Sequence, residues 1–134
     1  MNEADTGAGV ELRHEDLTEQ IIGGAIEVHK AIGSGLMESV YEECLCHELK
    51  LRGLTFERQM LVPICYKGVS IGCKYRLDLL VQQIVVVELK TVERVLPLHE
   101  AQLLTYLRLL KKPVGLIINF NVPVLKNGIV RRVL

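Results

Sequence analysis

The chain has 134 residues, 49% of them hydrophobic and 24% charged, with a formal net charge of zero. That length suits one domain, and that composition excludes a disordered, collagenous or low-complexity chain. Apolar runs such as Ile84 to Val87 fall far short of the roughly 20 residues that cross a bilayer, and with no Trp and two Phe a base-stacking platform is poorly supplied.

The neutral total conceals an asymmetry. Residues 1–50 carry 11 acids and 3 bases, net −8, whereas residues 51–134 carry 5 acids and 13 bases, net +8. Such a split fits a basic face for polyanions, with Lys111, Lys112, Lys126, Arg131 and Arg132 as candidates, or two halves that attract each other on folding. The acidic start, MNEADTGAG, does not read as a secretory signal, so a cytosolic location is expected. Cys44, Cys46, Cys65 and Cys73 are then free thiols. None forms a Cys-x-x-Cys pair, and Cys44 and Cys46 point to different faces of a helix, which argues against a shared zinc.

Residues 1–14 lack an apolar period and read as a loose leader, followed by a single domain over residues 15–134. Asp16 with Glu19 resembles a capping box, and Leu17, Ile21, Ala25, Val28 and Ile32 then recur at helical spacing until Gly33 and Gly35. A second helix is expected from Leu36 or Met37 to Arg52, with Met37, Tyr41, Leu45 and Leu49 on one stripe and Gly53 as its terminator. The period then becomes two. Thr55 to Tyr66, Val69 to Val81 and Ile84 to Lys90 read as an antiparallel meander with turns at Lys67-Gly68 and Gln82-Gln83, the third strand being central because Val85, Val86 and Val87 leave no polar face. Pro97 opens a helix ended by Lys111-Lys112-Pro113. A strand from Val114 to Phe120, a hairpin turn at Lys126-Asn127-Gly128 and a last strand from Ile129 to Leu134 complete the order: helix, helix, three strands, helix, strand, strand.

Charge inside apolar strands is the informative signal. Asp78 lies among Leu77, Leu79, Leu80 and Val81, and Glu88 closes the run Ile84 to Val87. An unpaired carboxylate in a dry setting costs several kcal/mol, so each needs a cation or a set of donors. Glu88 and Lys90 share one face of their strand, and the Gln82-Gln83 turn brings Asp78 alongside. Such a triad suits Mg²⁺ or Mn²⁺, with the Leu89 carbonyl as a further ligand and Lys90 stabilising an attacking hydroxide or phosphoryl charge. Phosphodiester hydrolysis follows. The plain alternative is a buried Asp78–Lys90 ion pair with Glu88 at the strand edge.

Asp78, then nine residues, then Glu88-Leu89-Lys90, resembles the signature of the PD-(D/E)XK nuclease superfamily, and Gly35-Leu36-Met37-Glu38-Ser39-Val40-Tyr41 is similar to the motif that names the GxxExxY protein family. Leu77 stands where the superfamily's name has proline. The resemblance covers roughly residues 15–120. It implies an α/β (α+β) fold with a restriction-endonuclease-like core, helix-βββ-helix-β, whose central mixed sheet is flanked by helices. It makes Glu38 a metal-site acid contributed by a helix, and it likens Gln102 and Tyr106 to a Q-x-x-x-Y element beside the site, supporting the lysine or the phosphate.

Gly33-Ser34-Gly35 follows no strand and precedes no Gly-Lys-Ser/Thr, which excludes a nucleotide loop. His99 shares a helix face with Gln102 and Tyr106 and either lines the site or belongs to the helix start. Two functions remain open: a divalent-metal-dependent nuclease acting on DNA, or RNA as the alternative, and a non-catalytic module that keeps the fold to bind nucleic acid or protein. A homodimer is a further option for so small a chain.

Overall fold

A computed structural model describes residues 8–72 and 75–134. Its elements are α1 (Ala8–Ile32), α2 (Glu38–Leu51), β1 (Phe56–Val62), the short β2 (Cys65–Tyr66) and β3 (Val69–Ser70), β4 (Tyr75–Val81), β5 (Val85–Lys90), α3 (Pro97–Leu110), β6 (Val114–Asn119), a 3-10 turn (Leu125–Gly128) and β7 (Ile129–Val133). Five strands form one mixed sheet in the order β1-β4-β5-β6-β7. Only β5 and β6 are parallel, and α3 makes the crossover between them.

The sheet needs cover on both faces because every residue from Val85 to Leu89 is buried. The helices α1 and α2 lay Ile21, Ala25, Tyr41, Leu45 and Leu49 against Leu79, Val81, Val85, Val87 and Leu116. On the other face α3 lays Leu103, Tyr106 and Leu107 against Leu80, Val86 and Ile117. Each fully buried aliphatic side chain contributes about 1.5–3 kcal/mol, so these two faces decide where the helices sit. The approach of α3 is close: a Cβ on Gly115 would stand 2.6 Å from Leu103 Cδ1. No helix among the described residues is long and apolar enough to cross a membrane.

Most boundaries agree with the sequence, and the differences have local causes. Residues 1–7 of the expected leader, and Cys73, lie outside the described residues. The first helix already runs from Ala8, so Asp16 lies within it and is no cap; Ala, Glu, Leu and Arg are all good helix formers there. Met37 is 72% exposed because it is the extended N-cap of α2, not part of its buried stripe. The expected strand from Thr55 to Tyr66 breaks after Val62, where Pro63 has no N–H to give a ladder. Cys65–Tyr66 and Val69–Ser70 instead form a separate hairpin around Lys67-Gly68. Lys126-Asn127-Gly128 lies in a 3-10 turn rather than a two-residue hairpin. Gln82 and Gln83 do form the tight turn, both with positive φ, 54° and 59°.

The charge asymmetry serves the fold in part. Arg52 pairs with Glu48, and Arg58 with Glu42 and Glu43, joining the basic half to the acidic half. Two of the five candidates for a basic face are also engaged: Arg132 pairs with Glu100, and Arg131 Nε donates to Thr18 Oγ1 at 3.3 Å. Cys44, Cys46 and Cys65 are free thiols.

Candidate active site

The β4–β5 ladder pairs Val81 with Val85, Leu80 with Val86 and Leu79 with Val87, and stops. One step further the register sets Asp78 opposite Glu88. There the side chains take over from the backbone: Leu89 N–H donates to Asp78 Oδ2 at 2.8 Å, and Asp78 N–H donates to Glu88 Oε1 at 3.3 Å. The carboxylates thus accept hydrogen bonds that ladder carbonyls would otherwise have accepted. Lys90 C=O accepts from Phe120 N–H on the β6 side, so by alternation the N–H and C=O of Leu89 face β4, beyond the end of that ladder.

On the outer side of β4 the pairing with β1 is also interrupted. Arg58 pairs with Leu79 and Met60 with Leu77, but Gln59 and Asp78 between them do not pair, and Gln59 has φ 51°. Both strands change faces at this point. Phe56 and Leu79 belong to the α1–α2 side, Met60 and Leu77 to the α3 side. Gln59 Nε2 donates to Asp78 Oδ1 at 3.2 Å and to Glu42 Oε1 at 2.7 Å. Arg58 donates to Glu42 Oε2 from Nε at 3.2 Å and from Nη2 at 2.9 Å.

Asp78 and Glu88 meet here, with Glu38 within electrostatic reach of both. Glu88 is 6% exposed, and burial, then the neighbouring Asp78 carboxylate, pushes its carboxyl up to about 8. Asp78 is raised by burial against the opposing help of Leu89 N–H and the Gln59 amide. Glu38, at the first turn of α2, is raised by partial desolvation and then by Asp78, with Lys90 acting the other way. None of the ion pairs among the described residues joins Glu38, Asp78, Glu88 or Lys90 to a partner. The buried Asp78–Lys90 pair, the plain alternative from the sequence, does not form.

Among the described residues no three His, Cys, Asp or Glu side chains stand together as a metal-binding group, so Glu38, Asp78 and Glu88 do not make a closed cage. Mg²⁺ is commonly held by one or two protein carboxylates, with water and phosphate oxygens completing its shell. Asp78 and Glu88 fit that demand: adjacent hard oxygen donors, half-buried and buried, whose affinity for protons is raised first by burial and only partly opposed by the charge of Lys90.

The other expected residues divide. Tyr106 is buried on the same side of the sheet, its hydroxyl pushed up to about 12 by burial and then by Glu88. Gln102 lines a groove with Tyr106, Tyr75, Ile64, Thr105 and Leu109. It makes no hydrogen bond to Lys90 or the acids among the described residues. His99 belongs to the helix start, its Nδ1 accepting from Leu96 N–H at 2.9 Å.

Glu42, Gln59 and Asn119 were missed from sequence. Glu42 follows Glu38 by four, one turn along the same face, which is a readable signal. Asn119 ends the apolar run of β6, as Glu88 does in β5. It is 1% exposed and clamps the segment after β5, accepting from Val92 N–H at 3.1 Å and donating to Val92 C=O at 2.8 Å. Gln59 has no such signal, because its role depends on strand register.

A family profile of the PD-(D/E)XK nuclease superfamily matches residues 15–133. The chain belongs to that superfamily. Three helices around a central mixed sheet of five strands agree with its restriction-endonuclease-like fold. No curated protein and no solved structure matches the chain. In this PD-(D/E)XK protein Asp78 of β4 and Glu88-Leu89-Lys90 of β5 lie together at the parted end of one ladder.

Proposed function

We propose that the protein is a divalent-metal-dependent nuclease hydrolysing phosphodiester bonds of DNA, with RNA as the alternative substrate, and that it belongs with the GxxExxY proteins within the superfamily. The observation that carries this reading is the pairing of Asp78 and Glu88, whose carboxylates replace ladder carbonyls and have no ion-pair partner among the described residues. Asp78, Glu88 and Glu38 would hold Mg²⁺ or Mn²⁺, joined by the Leu89 carbonyl. The chemistry such an ion supplies when bound is polarisation of phosphoryl oxygen and acidification of water.

The chain's own residues do the rest. Lys90, two positions after Glu88 on β5, presents positive charge to the attacking oxygen or the developing phosphoryl charge. Tyr106 closes the α3 side, and Gln102 extends that wall toward the phosphate. Burial of Glu88 keeps bulk water away, which strengthens each charge interaction.

The test is cleavage of single- and double-stranded DNA and RNA with and without Mg²⁺ or Mn²⁺. Wild type should cleave only with the ion, and Asp78→Ala and Lys90→Ala should each lower the rate about 10²–10³-fold. Unchanged cleavage in both variants would overturn the assignment. Ion-independent retention of nucleic acid without cleavage would favour the binding-module reading.

A further inference from the structure

Resting on the nuclease reading above, we propose that Gln59 is a positioning residue for the ion-binding carboxylate of Asp78, itself set in place by Glu42 and Arg58. A side-chain amide nitrogen carries two hydrogens, and both of Gln59's are assigned: one to Glu42 Oε1 at 2.7 Å, the other to Asp78 Oδ1 at 3.2 Å. Glu42 is committed elsewhere, because its Oε2 takes two N–H groups of Arg58. That leaves its Oε1 to orient the Gln59 amide. With Leu89 N–H on Oδ2 and Gln59 on Oδ1, both oxygens of Asp78 are fixed, and each keeps a lone pair for an ion.

The backbone makes the same point. At φ 51° Gln59 occupies a conformation that glycine adopts more readily, while regular β1–β4 pairing resumes on both sides. What glycine cannot supply is the amide. Gln59 is thus strained in its backbone and committed in its side chain, a combination expected where one group must hold another in a productive orientation. The same amide ties α2, the helix that carries Glu38, to β4, the strand that carries Asp78.

The strain allows a test that separates positioning from stability. Mn²⁺ affinity by calorimetry and the Tm of the ion-free protein are measured for wild type, Gln59→Gly and Gln59→Leu. The glycine variant should melt at or above the wild-type temperature, because the backbone is relaxed, yet bind Mn²⁺ about tenfold more weakly or worse. The leucine variant should lose similar affinity and also melt lower. In Asp78→Asn protein, adding Gln59→Gly should bring no further loss of affinity. Mn²⁺ affinity within twofold of wild type in the glycine variant, or a loss matched by a lower Tm in that variant, overturns the proposal while leaving the nuclease reading standing. Wild-type protein that binds no Mn²⁺ overturns both.

Discussion

Glu88→Gln should make the ion-free protein more stable at pH 8 while removing its capacity to bind a divalent ion. The sign follows from the direction of the shift. Glu88 is raised to about 8 from the ordinary value of 4.5, so the folded state holds its proton more tightly than the unfolded state does. That contribution to stability is complete below about pH 4.5 and is lost as pH climbs toward 8, where ionisation must occur in a buried setting beside Asp78. At 1.36 kcal/mol per pKa unit, the loss across that window is roughly 3–5 kcal/mol. A neutral glutamine avoids it. Its amide oxygen still accepts from Asp78 N–H, and removing the second charge also eases Asp78. Urea unfolding in EDTA should show wild type losing stability from pH 5 to 8 and Glu88→Gln holding nearly level, the two converging near pH 4.5. Adding Mn²⁺ at 100 times its Kd should return about 2.7 kcal/mol to wild type and nothing to the variant. Equal pH dependence in the two proteins would show that Glu88 carries no buried charge.

The tyrosine of the Gly-x-x-Glu-x-x-Tyr motif should prove architectural. Tyr41 is fully buried, stacks on Phe120 with ring centroids 4.3 Å apart at 10°, donates to Gly33 C=O at 2.6 Å and accepts from Leu36 N–H at 3.3 Å. Those bonds fix the turn between α1 and α2, and so set the point where α2 begins with Glu38. Tyr41→Ala should cost about 3–5 kcal/mol, the range for truncating a buried aromatic. Tyr41→Phe keeps the stack but leaves a carbonyl and an N–H unpaired, for about 1–2 kcal/mol. Chemical denaturation of the three proteins measures both. A Tyr41→Ala protein as stable as wild type would mean that the stack on Phe120 contributes nothing.

The sequence made the fold legible where period and punctuation agree. Val85 to Val87 required a central strand, Gln82-Gln83 required a tight turn, and together they set Asp78 across from Glu88. The charged residues inside aliphatic runs were legible for the same reason, since nothing in the strands accounts for them. Asp16 misled because a short polar residue before an apolar period is equally compatible with a helix interior when the residues ahead of it are good helix formers. Gln59 was out of reach: its left-handed φ and its place opposite Asp78 arise from pairing between strands 19 residues apart in sequence, which local patterns do not encode. Glu42 lay between these cases, visible as a helical repeat of Glu38 but given its role only by Arg58 and Gln59 across the β1 interface.

The most direct measurement is a crystal of the protein soaked in Mn²⁺, with anomalous scattering recorded near the manganese edge. The expected result is one peak within coordination distance of carboxylate oxygens from both Asp78 and Glu88, absent in crystals of Glu88→Gln. A map with no peak there, while Asp78 and Glu88 keep only their bonds to backbone N–H groups and Gln59, would contradict the assignment of these acids to a metal.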